Sequence, residues 1–346
     1  MTLGEVLSFE TGYPFSSDAF NEEGNGVRLI KNRDLKADDR VVFYGGEYDA
    51  QYIVQNGDIL IGMDGDFSPC LWKKGKALLN QRVGRVNVNR NTSRVFILYV
   101  LIDSLKKVEL KTSSTTVKHL SHKDVEKIKA SLPSFPEQRK IAALLSLIDE
   151  RIEVQNAIYK EQEVAKTLLS KELLIPENDW TEYAVRDCLT YEQPAKYLVK
   201  YTDYSSDSTL TPVLTANKGF ILGYTSEQGI YQKGACIIFD DFTLDCKYVP
   251  FAFKVKSSAI KILQARKGFD IRFMFEVIKS LSLSPFAHKR HYISEVEPIK
   301  VLVPSFAKQE KIARLFAALD ERLAVERAYA EQLKQQKTYL LRQMFI

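Results

Sequence analysis

Residues 239–247, FDDFTLDCK, carry side chains that could hydrolyse a phosphodiester: Asp241, Asp245 and Lys247. Two carboxylates and a lysine at close spacing can hold Mg²⁺ and position an attacking water. The first half of the chain has MDGDFSPCLWKK at 63–74, which keeps Asp64 and Asp66 but lacks the D-x-K step. The same loop also reads as a recognition element. There Asp240, Asp241, Thr243 and Lys247, like Asp64 and Asp66, would serve base edges and phosphates, since carboxylates accept from cytosine and lysines reach guanine or phosphate. Histidines fall in two H-x-x-H pairs, His119/His122 and His288/His291, without a third ligand at matching spacing or a nearby cysteine. No metal site is expected from them. Lys289 and Arg290, between the second pair, suit a phosphate. Gly24-Asn25-Gly26 does not continue into a phosphate-cradling loop, and no Asn/Asp-Pro-Pro-aromatic tetrapeptide of amino-group methyltransferases is present.

Basic, amide and aromatic residues interleave elsewhere: Lys31-Asn32-Arg33, Trp72-Lys73-Lys74 and Gln81-Arg82 in the first half. The second half has Asn217-Lys218, Tyr224, Lys254, Lys256 and Ser257-Ser258. Such groups anchor phosphates and read adenine or guanine in a groove. The net charge of +5 is compatible with a polyanion but does not demand one. With 45% hydrophobic and 27% charged residues in 346, the chain has material for about two domains and is not disordered. Four unpaired-looking cysteines suit a reducing compartment. The longest apolar run, residues 95–102, is far short of a spanning helix, and the first residues lack a secretory pattern.

The elements that must position these groups come as a duplication. LPSFPEQRKIAALLSLIDERI (132–152) returns 171 positions later as VPSFAKQEKIARLFAALDERL (303–323). From Ile141, Leu145, Ile148 and Ile152 the first copy continues through Gln155, Tyr159, Gln162, Lys166, Leu169 and Leu173. The second runs from Ile312, Phe316, Leu319 and Leu323 through Glu326, Ala330, Leu333, Lys337, Leu340 and Met344. Alternating steps of four and three make a heptad seam, the pattern of helices paired lengthwise. At 1.5 Å per residue each helix would be about 57 Å long. Ser134-Phe135-Pro136-Glu137 is a capping box with proline in the first turn; Lys308 breaks the equivalent box. Polar seam residues fix register or face another protein.

A β-rich globular part precedes each helix. Strands are expected at 27–30, 41–44, 58–63 and within 78–88, with a helix at 94–107. The second part repeats this at 212–215, 220–225, 236–240 and 248–256, with a helix at 270–283. YVLIDSL (99–105) aligns with FEVIKSL (275–281), VRLIKN (27–32) with PVLTAN (212–217), and Gly57 with Gly234 before an apolar run. The expected class is α+β: two mixed α/β domains (1–130 and 176–302) and two long helices (131–175 and 303–346). An antiparallel helix pair with pseudo-two-fold symmetry is the simplest closed arrangement.

This architecture, with GYPFSSDAF (12–20), NGDILIGMDGDF (56–67) and LLNQRVGRV (78–86) in the first part, resembles the specificity (S) subunit of type I restriction-modification enzymes. PVLTANKGFILGYT (212–225) and IIFDDFTLDCKYVPFAFKVKSSAIKIL (237–263) carry the likeness in the second. The resemblance implies two target recognition domains, each reading half of a split, asymmetric site on double-stranded DNA, and a non-catalytic cytoplasmic subunit. It implies that Gln138, Ile141, Leu145, Ile148, Ile152, Gln309, Ile312, Phe316, Leu319 and Leu323 form a coiled-coil spacer that binds two methyltransferase (M) subunits, with restriction (R) subunits joining. S-adenosylmethionine, ATP and Mg²⁺ would belong to those partners, none to this chain. Competing expectations are a Mg²⁺-dependent nuclease using Asp241, Asp245 and Lys247, or a coiled-coil scaffold without a nucleic-acid role. The chain opens at Leu3-Gly4-Glu5-Val6 without the lead-in that the second copy has at Trp180-Thr181-Glu182-Tyr183, which leaves the pairing of the first strand open.

Overall fold

A computed structural model describes residues 1–111, 119–216, 219–285 and 290–344. The chain forms two compact units. Residues 1–156 with 329–346 make the first and 157–328 the second, so each unit takes in part of both long helices.

Unit 1 runs β1 (Leu7–Thr11), β2 (Phe20–Asn21), β3 (Val27–Ile30), β4 (Val42–Tyr44), β5 (Ile53–Val54), β6 (Ile59–Gly62), β7 (Pro69–Leu71), β8 (Ala77–Leu79) and β9 (Val83–Val88). Helices α1 (Arg94–Lys111), α2 (His122–Glu126) and the start of α3 (Phe135–Leu173) follow. Its strands form a sheet of order β1-β9-β6-β7 and a second of order β2-β4-β3-β8-β5, in which β3 and β8 run parallel. Unit 2 continues with β10 (Thr181–Ala184), α4 (Val185–Cys188), β11 (Leu189–Glu192), β12 (Thr211–Leu214), β13 (Ile221–Thr225), β14 (Cys236–Asp240), β15 (Cys246–Val249), β16 (Lys254–Val255), β17 (Ile260–Ala265), α5 (Ile271–Ser280), β18 (Lys300–Val303) and α6 (Phe306–Met344). Its sheets are β11-β17-β14-β15 and β13-β12-β16, with β12 parallel to β16.

The first sheet therefore has one topology in both units, and the parallel pair β3/β8 recurs as β12/β16. Gly57 and Gly234 sit at φ of +93° and +97° in the turns before β6 and β14. Glycine relieves the steric penalty of that left-handed backbone. The expected strands at 27–30 and 236–240 form with those limits, while 248–256 divides into β15 and β16 around Pro250. Proline cannot donate to a ladder, which accounts for the break. Pattern alone did not announce β17, β10 or β18. In unit 2, β10 pairs with β18 over four residues; in unit 1 the corresponding edge has the single bridge Thr2↔Lys129.

Each seam residue from Ile141 to Leu173 and from Ile312 to Met344 is buried or half-buried. In unit 1, α3 and α6 are joined by Arg151 donating to the Tyr329 hydroxyl (2.7 Å) and by an ion pair of Lys337 with Asp149. Residue number rises on one helix as it falls on the other, so the pairing is antiparallel. In unit 2, Gln162 donates to Glu326 and Lys166 pairs with Asp320 in the same sense. Polar seam residues thus bond across the pair, which fixes its register. The Ser134–Glu137 capping box forms, with Ser134 N–H and hydroxyl both donating to Glu137 (3.0 and 2.6 Å). In the second copy Lys308 instead pairs with Glu177 (2.6 Å).

The long helices are also fastened to the sheets. Leu145 and Ala142 of α3 enter the core of unit 1, and Ile312, Ala313 and Phe316 of α6 that of unit 2. Gln138, expected on a partner-facing spacer, is instead buried: its Oε1 accepts from Ser93 N–H (2.9 Å) and its Nε2 donates to the Pro133 carbonyl (3.0 Å). Gln309 repeats this clasp, accepting from Asp270 N–H (2.8 Å) and donating to Pro304 (2.9 Å). Both glutamines satisfy a backbone donor just before the helix of their unit, Ser93 before α1 and Asp270 before α5, a function of the chain's own interior. Leu145, Ile148, Ile312 and Phe316 are likewise core, unavailable to a partner. The opposite faces remain apolar and exposed: Leu144, Leu147 and Val154 in unit 1, Leu315 and Val325 in unit 2.

Candidate nucleic-acid interface

In each unit three segments meet at one end of the first sheet. In unit 1 these are the β6–β7 turn, the β8–β9 connection and the segment at His119-Leu120. Met63 N–H donates to the Arg82 carbonyl (3.0 Å), and Leu120 N–H to the Met63 carbonyl (2.8 Å). In unit 2 Asp241 N–H donates to the Ala259 carbonyl (3.0 Å) and His291 N–H to the Asp241 carbonyl (3.0 Å). The same three-way junction is built twice.

What projects from it differs. In unit 1, Asp64 accepts from Arg82 Nη1 (2.8 Å) through one oxygen and faces His119 Nδ1 (2.9 Å) with the other. Asn32 Nδ2 donates to the Asp64 carbonyl (2.7 Å), and Lys36 pairs with Asp66. Burial pushes the Asp66 carboxyl up, but Lys36 and the Ser68 donors outweigh it and hold the group at about 2. Arg33 donates to the Arg40 carbonyl (3.2 Å), Lys31 lies over the Phe20 ring, and Gln81 is exposed. Of the expected set, Asn32, Asp64, Asp66 and Arg82 meet at this turn, while Lys31 and Arg33 bond elsewhere.

In unit 2 the carboxylates turn inward. Asp241 is 1% exposed; its Oδ1 accepts from His291 N–H (3.1 Å) and Tyr292 N–H (2.8 Å), and Oδ2 faces the buried Lys261 ammonium (3.5 Å). Asp240 accepts from Phe242 and Thr243 N–H (3.0 Å each), closing its own turn around Leu244 at φ +62°. Neither carboxylate is open to a base edge, which corrects their expected role as DNA contacts. Exposed on this rim are Phe242, Thr243, Lys256, Ser258 and Arg290, with Ser257 half-buried and accepting from Ala259 N–H. Asn217, Lys218 and Lys289 lie outside the described residues, as does His288.

The nuclease triad does not assemble around a cation. Asp241 is consumed by buried partners, while Asp245 is exposed and accepts from the Thr243 hydroxyl (3.1 Å). Lys247 sits on β15 opposite Ile238. Among the described residues no group of three or more His, Cys, Asp or Glu side chains is disposed to hold a metal. His119 and His122 do not share a helical face: His119 is in a bridge with Asp64, and His122 starts α2 edge-on to Phe9 (5.5 Å).

Other expected contacts fall elsewhere. Trp72 is core, its Nε1 donating to the Gly75 carbonyl (2.6 Å), with Arg28 and Lys74 over its ring. Lys74 donates to the Asp34 carbonyl (2.9 Å), and Lys73 turns to Glu153 of α3. Tyr224 lies on β13 opposite Pro212. Lys254, interleaved in the sequence, is buried and donates to the Gln228 carbonyl (2.7 Å). Sequence reasoning missed the joint made by Gly62: a Cβ there would lie 1.8 Å from Asn32 Oδ1, so only glycine lets Asn32 reach the turn. The one signal is a glycine ending an otherwise apolar strand before an acidic turn.

Residues 1–163 match the family described as the type I restriction modification DNA specificity domain. The chain is 44% identical over 154 residues to the EcoR124I/EcoR124II specificity subunit of Escherichia coli, covering 39% of this chain and 38% of that protein. It is 30% identical over 226 residues to the EcoBI specificity subunit of Escherichia coli, covering 57% and 48%. The matches thus span less than half the length of these two relatives. In fold, the chain resembles the S subunit of a type I restriction-modification system from M. genitalium, with a TM-score of 0.68 at 16% identity, covering 100% of this chain and 95% of that one.

Proposed function

Because residues 1–163 match the type I restriction modification DNA specificity family, we propose that the chain selects the DNA sequence on which a type I restriction-modification complex acts. It performs no bond-making step itself. Each unit reads one half of a bipartite, asymmetric target in double-stranded DNA. The observation that carries this reading is the repeated three-way junction: one backbone frame, two different sets of rim side chains. A single scaffold with divergent rims is what reading two unlike half-sites requires, because base edges are told apart by donor and acceptor pattern.

Two M subunits dock along the exposed apolar faces of the long helices, at Leu144, Leu147 and Val154 and at the equivalent Leu315 and Val325. R subunits join that assembly. S-adenosylmethionine, ATP and Mg²⁺ are used by those partners, and target bases are flipped out of the duplex for methylation. The helices set the interval between half-sites, which on one face of B-DNA recur about every 34 Å. Among the described residues no helix is long and apolar enough to cross a membrane. The nuclease alternative loses its support with the burial of Asp241.

The test is single-molecule methylome sequencing of cells expressing the cognate methyltransferase with and without this chain. A split, asymmetric methylated motif is expected only when the chain is present. The same motif in its absence, or none with it, contradicts the proposal.

A further inference from the structure

Among the described residues, Arg82 is an exposed rim cation held at both ends. Its side chain is 58% exposed, yet Nη1 is fixed on Asp64 Oδ2 at 2.8 Å and its own backbone carbonyl accepts from Met63 N–H at 3.0 Å. Asp64 is itself held from three sides. His119 Nδ1 lies 2.9 Å from its other oxygen, and Asn32 Nδ2 donates to its carbonyl at 2.7 Å. Gly62 provides the space in which Asn32 lies. Both ends of the arginine are thus pinned to the same turn, while its side chain stays largely exposed.

Resting on the reading given above, we propose that Arg82 reads a guanine in the half-site served by unit 1, with Asp64 as its positioning residue. Two physical arguments favour a base edge over a phosphate. First, the Asp64 carboxylate already touches the Arg82 guanidinium, so a phosphate at that guanidinium would meet like charge at once, whereas the neutral guanine edge would not. Guanine O6 and N7 are two acceptors that match the planar guanidinium fork. Second, a phosphate anchor tolerates a mobile side chain, but base discrimination needs a fixed one, and the ordering entropy is met here before DNA arrives. Lys36, paired with Asp66 on the same rim, is the contrasting phosphate-type cation.

Unit 2 has no equivalent. Ala259 occupies the place of Arg82 in the junction, and Asp241 faces inward to Lys261. The assignment therefore concerns one half-site only.

The experiment uses the full chain assembled with its modification subunit and methylome sequencing as the readout, on wild type, Arg82→Ala, Arg82→Lys, Asp64→Asn and, as a control, Lys73→Ala. Arg82→Ala should relax a single guanine position in one half-site by roughly ten- to a hundredfold and leave the other half unchanged. Arg82→Lys should restore part of that discrimination. Asp64→Asn should relax the same position by less, with DNA binding kept; a purely structural role would instead weaken methylation without altering the motif. Lys73→Ala should leave the motif intact. Thermal melts show whether each variant is folded, and an exposed arginine is expected to be replaceable. An unchanged motif in folded Arg82→Ala, or a loss spread evenly over all sequences, overturns the assignment of Arg82 while leaving the specificity reading standing. Absence of any split motif with wild type instead removes the reading on which it rests.

Discussion

Each junction turn carries an aspartate, one residue past the junction in unit 1 (Asp64 after Met63) and at the junction itself in unit 2 (Asp241), and the two do opposite things. Asp64 is 23% exposed and holds an arginine out toward solvent; Asp241 is sealed against Lys261 and two backbone N–H groups. The frame is common, so the backbone is not where the two units differ. What differs is whether the turn's charge is spent inward on the fold or outward on a ligand. A duplicated scaffold can therefore change what its rim presents by exchanging side chains, with the sheets and clasps untouched.

The largest effect should separate the two aspartates directly. Asp241→Asn removes the charge facing Lys261 and leaves a buried ammonium uncompensated, at a cost of about 3–5 kcal/mol. Asp64→Asn weakens an exposed pair and should cost only about 0–1 kcal/mol. Urea denaturation of the two variants checks this, and equal losses would erase the contrast. Next in size come Gln138→Ala and Gln309→Ala, each of which strands a buried backbone donor and should cost about 1–3 kcal/mol. Here the two units should agree, since the clasp is the same in both; a loss confined to one unit would mean the frames are less alike than their bonds suggest.

The smallest effect is on acid stability. Asp66 is held at about 2, below the usual carboxylate value near 3.9, so its contribution is complete above about pH 4 and is lost as pH falls through about 2. The β14–β15 turn of unit 2 is one residue shorter, and its Asp240 and Asp245 accept from Phe242, Thr243 and the Thr243 hydroxyl within that turn. Hydrogen exchange at the Asp64–Ser68 turn should therefore rise on acidification while the Asp240–Asp245 turn shows no matching step from this position. A step of equal size in both turns would discard the distinction.

Much of this was readable beforehand, for identifiable reasons. The long helices were legible because the alternation of four and three runs from Ile141 to Leu173 and from Ile312 to Met344, and burial follows it residue by residue. The rim of unit 1 was legible in part because Asn32, Asp64 and Arg82 fall next to turns. Their mutual bonds were not, because Asp64 and His119 are joined across 55 residues and periodicity carries no such information. Gln138 and Gln309 were placed on the spacer by the resemblance alone; their burial follows from the N–H groups of Ser93 and Asp270 that they accept from. Trp72-Lys73-Lys74 looked like a nucleic-acid element, yet packing claims the indole and carbonyls claim Lys74. Asp241 misled as a metal ligand because spacing in sequence does not report burial.

The claim that one frame with two rims reads two half-sites is tested most directly by replacing residues 1–115 with the matching part of another specificity subunit and sequencing the methylome. The account predicts that one half of the methylated motif changes completely while the other half keeps every base. A change in both halves, or in neither, would contradict it.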